Sequence, residues 1–322
     1  WENVSELSSI FKHALIRDTV YEMQLKESLR ELHRLAGVVI EDLYPYNLSM
    51  HYAELANHFD KAEAADKALE YLEKAGGQAK ANYQNAEAIR FYNKALNYLK
   101  SGQDEEKRIR ILFEKGPILT LIGEWDEAET VYRSAFESAQ SLGNRKLMVD
   151  AMGKLGNLKR RQGEMETANS LFLKALAEAE RTNYPKGIAT ITGHIGGFYY
   201  MQGDYLQAMK FYEKLLDIAQ KLDDKNEMSR AIGNMGAIYA VQGNYEKAME
   251  YCLKNVRICE EMGSKRGAMS SINNIGYIYW RQNEPEKALE WYEKRRAICE
   301  ETGDRMGVSV ALGNIGNVYQ EQ

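Results

Sequence analysis

Asparagine returns at one fixed spacing in this chain. Asn234, Asn274 and Asn314 stand 40 residues apart, and His194 holds the same place one period earlier. A side-chain amide offers N–H donors and a carbonyl acceptor, so it can pair with both polar groups of an extended backbone. Amides spaced once per structural unit would then read main chain rather than side chains. The same groups could instead bond one unit to the next, and at this level both readings stand. In register with them are Asn157 and Asn317, the rings of Tyr200, Tyr277 and Trp280, and the guanidinium groups of Arg160, Arg161 and Arg281. Aromatic rings and Arg are the side chains that most often anchor a bound partner, and Arg pairs with acidic groups through charge-assisted bonds. These residues form the candidate ligand site.

The other reactive side chains point to packing. Cys259 and Cys299 are one period apart, in a slot filled earlier by Ala139, Ala179 and Ala219. Cys252 takes a slot held elsewhere by Tyr132, Phe172, Tyr212 and Tyr292. Cysteines so placed make no disulfide framework. They substitute for buried residues, which fits a reducing, cytoplasmic setting. His13, His33, His51 and His58 lie toward the amino terminus, and the last two could share a helix face. No Cys or carboxylate recurs at ligand spacing beside them, so they read as packing or capping residues and no metal is expected. No cofactor is expected either, since no GxxxxGK[ST] phosphate loop occurs. Charged residues follow helix faces instead of converging as acid, base and nucleophile would. An intrinsic enzyme therefore has little to rest on. With 42 Lys and Arg against 47 Asp and Glu, the formal charge of −5 offers no general attraction for nucleic acid. No run of about 18 apolar residues is present to cross a membrane.

The elements that must position these groups follow from the period itself. Steps of 40 from Gly236 reach Gly76, Gly116, Gly156, Gly196, Gly276 and Gly316. The same steps from Ala248 reach Ala88, Ala128, Ala168, Ala208 and Ala288. A period of this length signals a stacked array in which each unit contacts only its neighbours. Within a unit, Ile232, Met235, Gly236 and Tyr239 form one buried helical stripe. The recurrent Gly costs about 1 kcal/mol of helix propensity, so its return predicts a close approach of two helix backbones. Gly123, Gly163, Gly203, Gly243 and Asn283 then suit a left-handed cap, as do Gly143, Asn183, Asp223, Gly263 and Gly303 after the second helix. Pro185 and Pro285 fall where helices begin. Pro117 inside a first helix predicts a kink or a lost hydrogen bond. Lys159 departs from the aromatic expected after Gly156. Asn255 and Arg295 replace small residues, which predicts looser packing toward the carboxyl end.

Hydrophobic-Gly, an aromatic three later, Gly-x-aromatic, Ala, aromatic, Ala: over residues 69–322 this pattern resembles the tetratricopeptide repeat. The long period is similar to that of kinesin-light-chain-like arrays, whose equivalent asparagines line peptide grooves. The resemblance implies an all-α solenoid, a right-handed superhelix of antiparallel helix pairs. Its first helices would turn the candidate residues toward a concave groove. The family's chaperone-tail clamp needs Lys three before the Gly and Asn just after it. Gly153 precedes Asn157 and Gly313 precedes Asn317, so that clamp is not expected here.

Residues 1–44 lie outside the period. Leu29, Leu32, Leu35, Ala36, Val39, Ile40 and Leu43 predict an amphipathic helix ending before Pro45, after a short extended lead-in and helix over 11–25. Phe11, His13, Leu15, Tyr21, Leu32, His33, Leu55, Ala56 and His58 resemble the junction that follows the ATPase module in STAND-type signalling ATPases, including ATPase-associated cyclases. That resemblance implies a longer protein with a nucleotide-binding module upstream. Three segments are expected: a helical junction over 1–44 at the end of an ATPase or winged-helix-like module, an atypical helical bridge over 45–103 with a first degenerate repeat, and a regular array over 104–322. The array would hold five full repeats and the first helix of a sixth. Taken together, these features predict a scaffold that binds a protein or peptide, or its own upstream ATPase, and regulates a larger signalling ATPase. A regulatory arm of a STAND-type transcription activator is the alternative.

Overall fold

The computed structural model describes residues 25–99 and 104–321. The lead-in expected over 11–24, with His13, lies outside the described residues. Those described form fifteen α-helices and one short 3-10 turn, with no strand among them. They fall into two compact units, residues 25–99 and 104–321.

The first unit holds α1 (Lys26–Leu43), a 3-10 turn (Leu48–His51), α2 (Tyr52–Lys61), α3 (Ala65–Ala81) and α4 (Asn85–Tyr98). Within the helical bridge, the chain after Asn47 tightens into the 3-10 turn before α2 begins. The apolar stripe of α1 is also only partly covered. Gly37 is the buried position, set against the Phe59 ring, where a Cβ would sit 2.7 Å from Cζ. Leu32, Leu35, Val39 and Leu43 stay exposed. Glu41 faces the packed side, accepting from Tyr71 Oη and, at 2.6 Å, from Lys67 Nζ.

The histidines of this unit make packing contacts. His51 stacks on Tyr44 with centroids 4.2 Å apart and its Nδ1 lies 3.0 Å from Glu54. His33 and His58 meet Nδ1 to Nδ1 at 2.9 Å across α1 and α2. One ring must donate and the other accept, so the contact needs at least one neutral imidazole. Burial holds the pKa of both below the ordinary histidine value; for His33 the charges of His58 and Lys61 add to it, and for His58 Glu54 opposes while Lys61 adds. A base whose pKa is depressed on folding binds more protons unfolded, so its contribution is present above about pH 6.5 and is lost as pH falls through the lowered value. Amides of α1 should therefore exchange faster at pH 5.5 than expected from chemistry alone, while His33→Gln should flatten that dependence. Equal protection at pH 7.5 and 5.5 in hydrogen exchange would remove the histidine pair as its cause.

The second unit is a run of helix pairs: α5 (Glu105–Ile122) with α6 (Trp125–Ser141), α7 (Arg145–Arg161) with α8 (Met165–Arg181), and α9 (Pro185–Met201) with α10 (Tyr205–Lys221). Then come α11 (Lys225–Val241) with α12 (Tyr245–Glu261), α13 (Lys265–Arg281) with α14 (Pro285–Thr302), and α15 (Arg305–Glu321). Left-handed caps stand where the period places them, from Gly123 at φ 88° to Asn283 at φ 62°. Pro185 and Pro285 open their helices.

The recurrent glycine has a different cause from the one expected. A Cβ on Gly116, Gly156, Gly196 or Gly276 would meet an aromatic ring of the second helix, at 2.3 Å for Tyr132 and 2.7 Å for Tyr212. The glycine makes room for a buried ring, not for a bare backbone. At Gly236, where Cys252 replaces the ring, a Cβ would lie 2.9 Å from its Sγ and 3.3 Å from its backbone nitrogen.

The expectation at Asn255 is corrected. Asn255 does not loosen the array: it is buried, its Nδ2 donates to the Ser229 carbonyl, and its Oδ1 accepts from Ser229 Oγ and Cys259 Sγ, each at 3.0 Å. Gly233 leaves the space, since a Cβ there would lie 2.0 Å from that Nδ2. Arg295 donates through Nη1 to Asn273 Oδ1 at 2.9 Å, while its buried Nε has no hydrogen-bond partner among the described residues. A larger residue on one helix is matched by a smaller or polar one opposite. Lys159 is buried as the aromatic would be, its ammonium held by Glu129 at 2.7 Å and Glu164 at 2.8 Å. Pro117 lies inside α5 without ending it. The three cysteines are buried free thiols, and burial pushes Cys252 up to about 11.

Candidate functional site

The first helices α5, α7, α9, α11 and α13 lie side by side and line a groove of about 930 Å³. A helix packed on both sides and against its own partner keeps one strip free. Counted from each recurrent glycine, that strip holds positions −6, −3, −2, +1, +4 and +5. On α7 these are Asp150, Gly153, Lys154, Asn157, Arg160 and Arg161; on α9 they are Thr190, Gly193, His194, Gly197, Tyr200 and Met201; all line the groove. Phe113, Tyr132, Tyr184 and Tyr212 supply aromatic wall.

The groove is basic inside an acidic chain. Six lining side chains are Lys or Arg and two are acidic. One of those acids, Asp150, accepts from Tyr184 Oη at 3.2 Å, and burial raises its pKa. Arg160 donates through Nη2 to Asn157 Oδ1 at 2.9 Å and sets Nη1 2.9 Å from Met201 Sδ. Burial and the charges of Arg161 and Arg230 lower its pKa against an opposing effect of Tyr212; a guanidinium stays protonated regardless. Arg161 Nη1 reaches the Thr120 carbonyl at 3.4 Å, tying α7 to α5.

Arg230 crosses from α11 onto the backbone of α9. Its Nη2 donates to the Thr190 carbonyl at 3.0 Å, and the guanidinium pairs with Glu227 on its own helix. Gly193 is the platform under it: a Cβ there would lie 2.3 Å from Nη2 and 2.6 Å from Cζ. Glu227 in turn accepts from Thr190 Oγ1 at 3.0 Å. His194 stacks on Phe172 with centroids 5.3 Å apart. Burial first, then Arg230, Arg160 and Lys154, hold its pKa well below the ordinary histidine value, so the ring is neutral at pH 7.

The candidate residues do not all meet. Asn157, Arg160, Arg161, His194, Tyr200 and Asn234 line the groove. Asn274, Tyr277, Trp280, Asn314 and Asn317 line a separate pocket of about 190 Å³ between α11, α13, α14 and α15. Tyr277 and Trp280 stand edge to face there at 6.0 Å. Asn314 Nδ2 donates to Asn273 Oδ1 at 2.7 Å, so at this position the amide does bond one repeat to the next. Arg281 lines neither space; it is exposed, with Nη1 3.3 Å from Tyr277 Oη. The sequence reading passed over Arg230, Lys154, Lys186 and Arg266, all on the groove. Arg230 and Lys154 occupy positions −6 and −2 of the strip. What the period could not show is that Gly193, in the neighbouring repeat, clears the space for Arg230. Among the described residues no three His, Cys, Asp or Glu converge as metal ligands, and no helix is long and apolar enough to cross a membrane.

The family model described as tetratricopeptide repeat matches residues 187–261, 227–301 and 268–322. No curated protein matches the chain in sequence. Among solved structures, a Rap protein complexed with Competence and Sporulation Factor is similar at 14% identity and a TM-score of 0.60, over 96% of this chain and 91% of that one. NprR in complex with its cognate peptide NprX is similar at 16% identity and a TM-score of 0.62, over 79% and 74% of the two chains. A signal transduction ATPase with numerous domains (STAND) and a tetratricopeptide repeat sensor, from Pyrococcus horikoshii, shares 18% identity and a TM-score of 0.55. That match takes in 95% of this chain and 45% of the ATPase. At such identities the likeness is one of fold: the chain is an all-α tetratricopeptide-type solenoid.

Proposed function

We propose that this chain is a peptide-binding sensor: its groove takes an extended peptide, and the bound state regulates a larger signalling ATPase. The observation that carries the reading is the strip of side chains repeated on adjacent first helices, with amides at Asn157 and Asn234 and aromatic walls between them. Neighbouring helices pack about 8–10 Å apart, so one repeat matches about three residues of extended chain at roughly 3.3 Å each. Amides on α7 and α11 would then hold main chain about two repeats apart. The similar folds of a Rap protein and of NprR, both solved with their peptides, support a peptide as ligand. The similar STAND protein supports the ATPase context. Binding would act by population shift, the peptide favouring whichever curvature of the array it grips more tightly.

A second reading has its own observation. Leu32, Leu35, Val39 and Leu43 leave an apolar face open on α1, which suits packing against an upstream module of the same protein. The two readings are compatible, one naming the sensor and the other the joint.

The test is a random-peptide display selection against the 322-residue chain, with selected peptides measured by anisotropy. Asn157→Ala with Asn234→Ala should weaken the selected peptides at least tenfold, with the helical circular dichroism unchanged. Asn274→Ala with Trp280→Ala, in the smaller pocket, should not. Peptides that bind both variants as they bind the wild type would move the site off the groove.

A further inference from the structure

The groove's charge says which peptides it takes, and this inference rests on the peptide-groove reading above. We propose that the groove selects acidic peptides, seating a side-chain carboxylate between Arg160 and Arg230 beside the ring of His194. Two facts make these guanidinium groups a prepared site and not a solvated face. Both Nε atoms are buried and have no hydrogen-bond partner among the described residues. Each guanidinium is thus seated in the wall with its Nε turned inward, and a carboxylate would pair with the edge that faces the groove. Arg230 is also held in place before any ligand arrives, by the Thr190 carbonyl, by Glu227 and by the bare backbone at Gly193. A fixed guanidinium loses little freedom on binding.

Positive charge continues along the groove. Lys154, Lys186 and Arg266 add positive charge on α7, α9 and α13, while Asp150 is tied to Tyr184. Basic groups spread over four helices fit several carboxylates along a peptide better than one at its carboxyl terminus. Burial first, and then the charges of Arg161 and Arg230, lower the pKa of Arg160, and an anion would offset the repulsion among the three. A long polyanion such as single-stranded nucleic acid fits less well. Beyond the groove it meets a chain of net charge −5.

The experiment uses rhodamine-labelled nonapeptide pools with amidated carboxyl termini, so that only side chains supply charge. One pool carries Asp and Glu at alternate positions, one the isosteric Asn and Gln, and one Lys. Anisotropy titrations use the 322-residue chain at 50 and 300 mM NaCl. The acidic pool should bind at least tenfold tighter than the amide pool, and the difference should shrink at high salt. Arg160→Gln with Arg230→Gln should cancel the preference, bringing the acidic pool down to the affinity of the amide pool. Gly193→Ala, which keeps every charge but lifts Arg230 from its seat, should weaken acidic peptides several-fold. Should the double variant fail to fold, the His194 ring resonances of the wild type serve instead, and they should shift on titration with acidic peptides only. Equal binding of acidic and amide pools overturns the acidic preference and leaves the peptide groove standing. No binding by any pool overturns both. A decathymidylate that displaces the acidic pool at lower concentration than unlabelled acidic peptide does overturns the ligand class.

Discussion

Gly233→Ala should lower the stability of the array by roughly 3 kcal/mol, and most of that loss should disappear when Asn255 is also Ala. The new methyl would lie 2.0 Å from Asn255 Nδ2. The amide cannot turn aside cheaply. It is buried, and its three hydrogen bonds to Ser229 and Cys259 fix its plane. Either the bonds break or the helices part. Asn255→Ala alone should cost about 1–2 kcal/mol, because Ser229 loses its amide partner in a dry core. Ser229 Oγ retains a 3.0 Å contact with Cys259 Sγ, which limits that loss. The double variant has neither the clash nor the amide, so the two changes should couple by 1 kcal/mol or more, well above the ~0.5 kcal/mol scatter of independent sites. Urea denaturation followed by helical circular dichroism measures all four corners of the cycle. Additive costs would show that the amide does not depend on the glycine.

The second large effect is a reversal of sign between two positions of one motif. Gly196→Ala and Gly316→Ala both gain about 1 kcal/mol of helix propensity. At Gly196 the added carbon would lie 2.7 Å from the ring of buried Tyr212, with two further ring atoms at 3.0 and 3.1 Å. Overpacking of that kind costs about 1–3 kcal/mol, so the net change should be destabilising. At Gly316 nothing lies within 4 Å. There the propensity gain should stand and the chain should become slightly more stable. Thermal denaturation of the two variants beside the wild type decides the matter. Stabilisation by both would mean that Tyr212 yields, and that the recurrent glycine serves something other than the ring.

These two predictions also mark how far the residues speak for themselves. The period of 40, the paired helices, the caps at Gly123 and Asn283 and the strip that lines the groove were all legible in the chain. Each depends on contacts that are local or that repeat identically from one unit to the next. A sequence that repeats its local chemistry repeats its local structure, so one unit read correctly supplies the others. What escaped were pairings between residues that do not repeat. Nothing near Gly233 announces that it faces Asn255, nor does anything near Gly193 announce that Arg230 will lie across it. Both pairs belong to side chains some 22 to 37 residues apart and depend on the angle at which two particular helices cross. The same holds for the split of the candidate site. One rule places Asn234, Asn274 and Asn314 at equivalent positions, yet only tertiary packing puts the first on the large groove and binds the last to Asn273. Periodicity determined which face each side chain takes; the neighbours it meets there were decided by how the helices pack, because shape and charge are matched pair by pair and not by type.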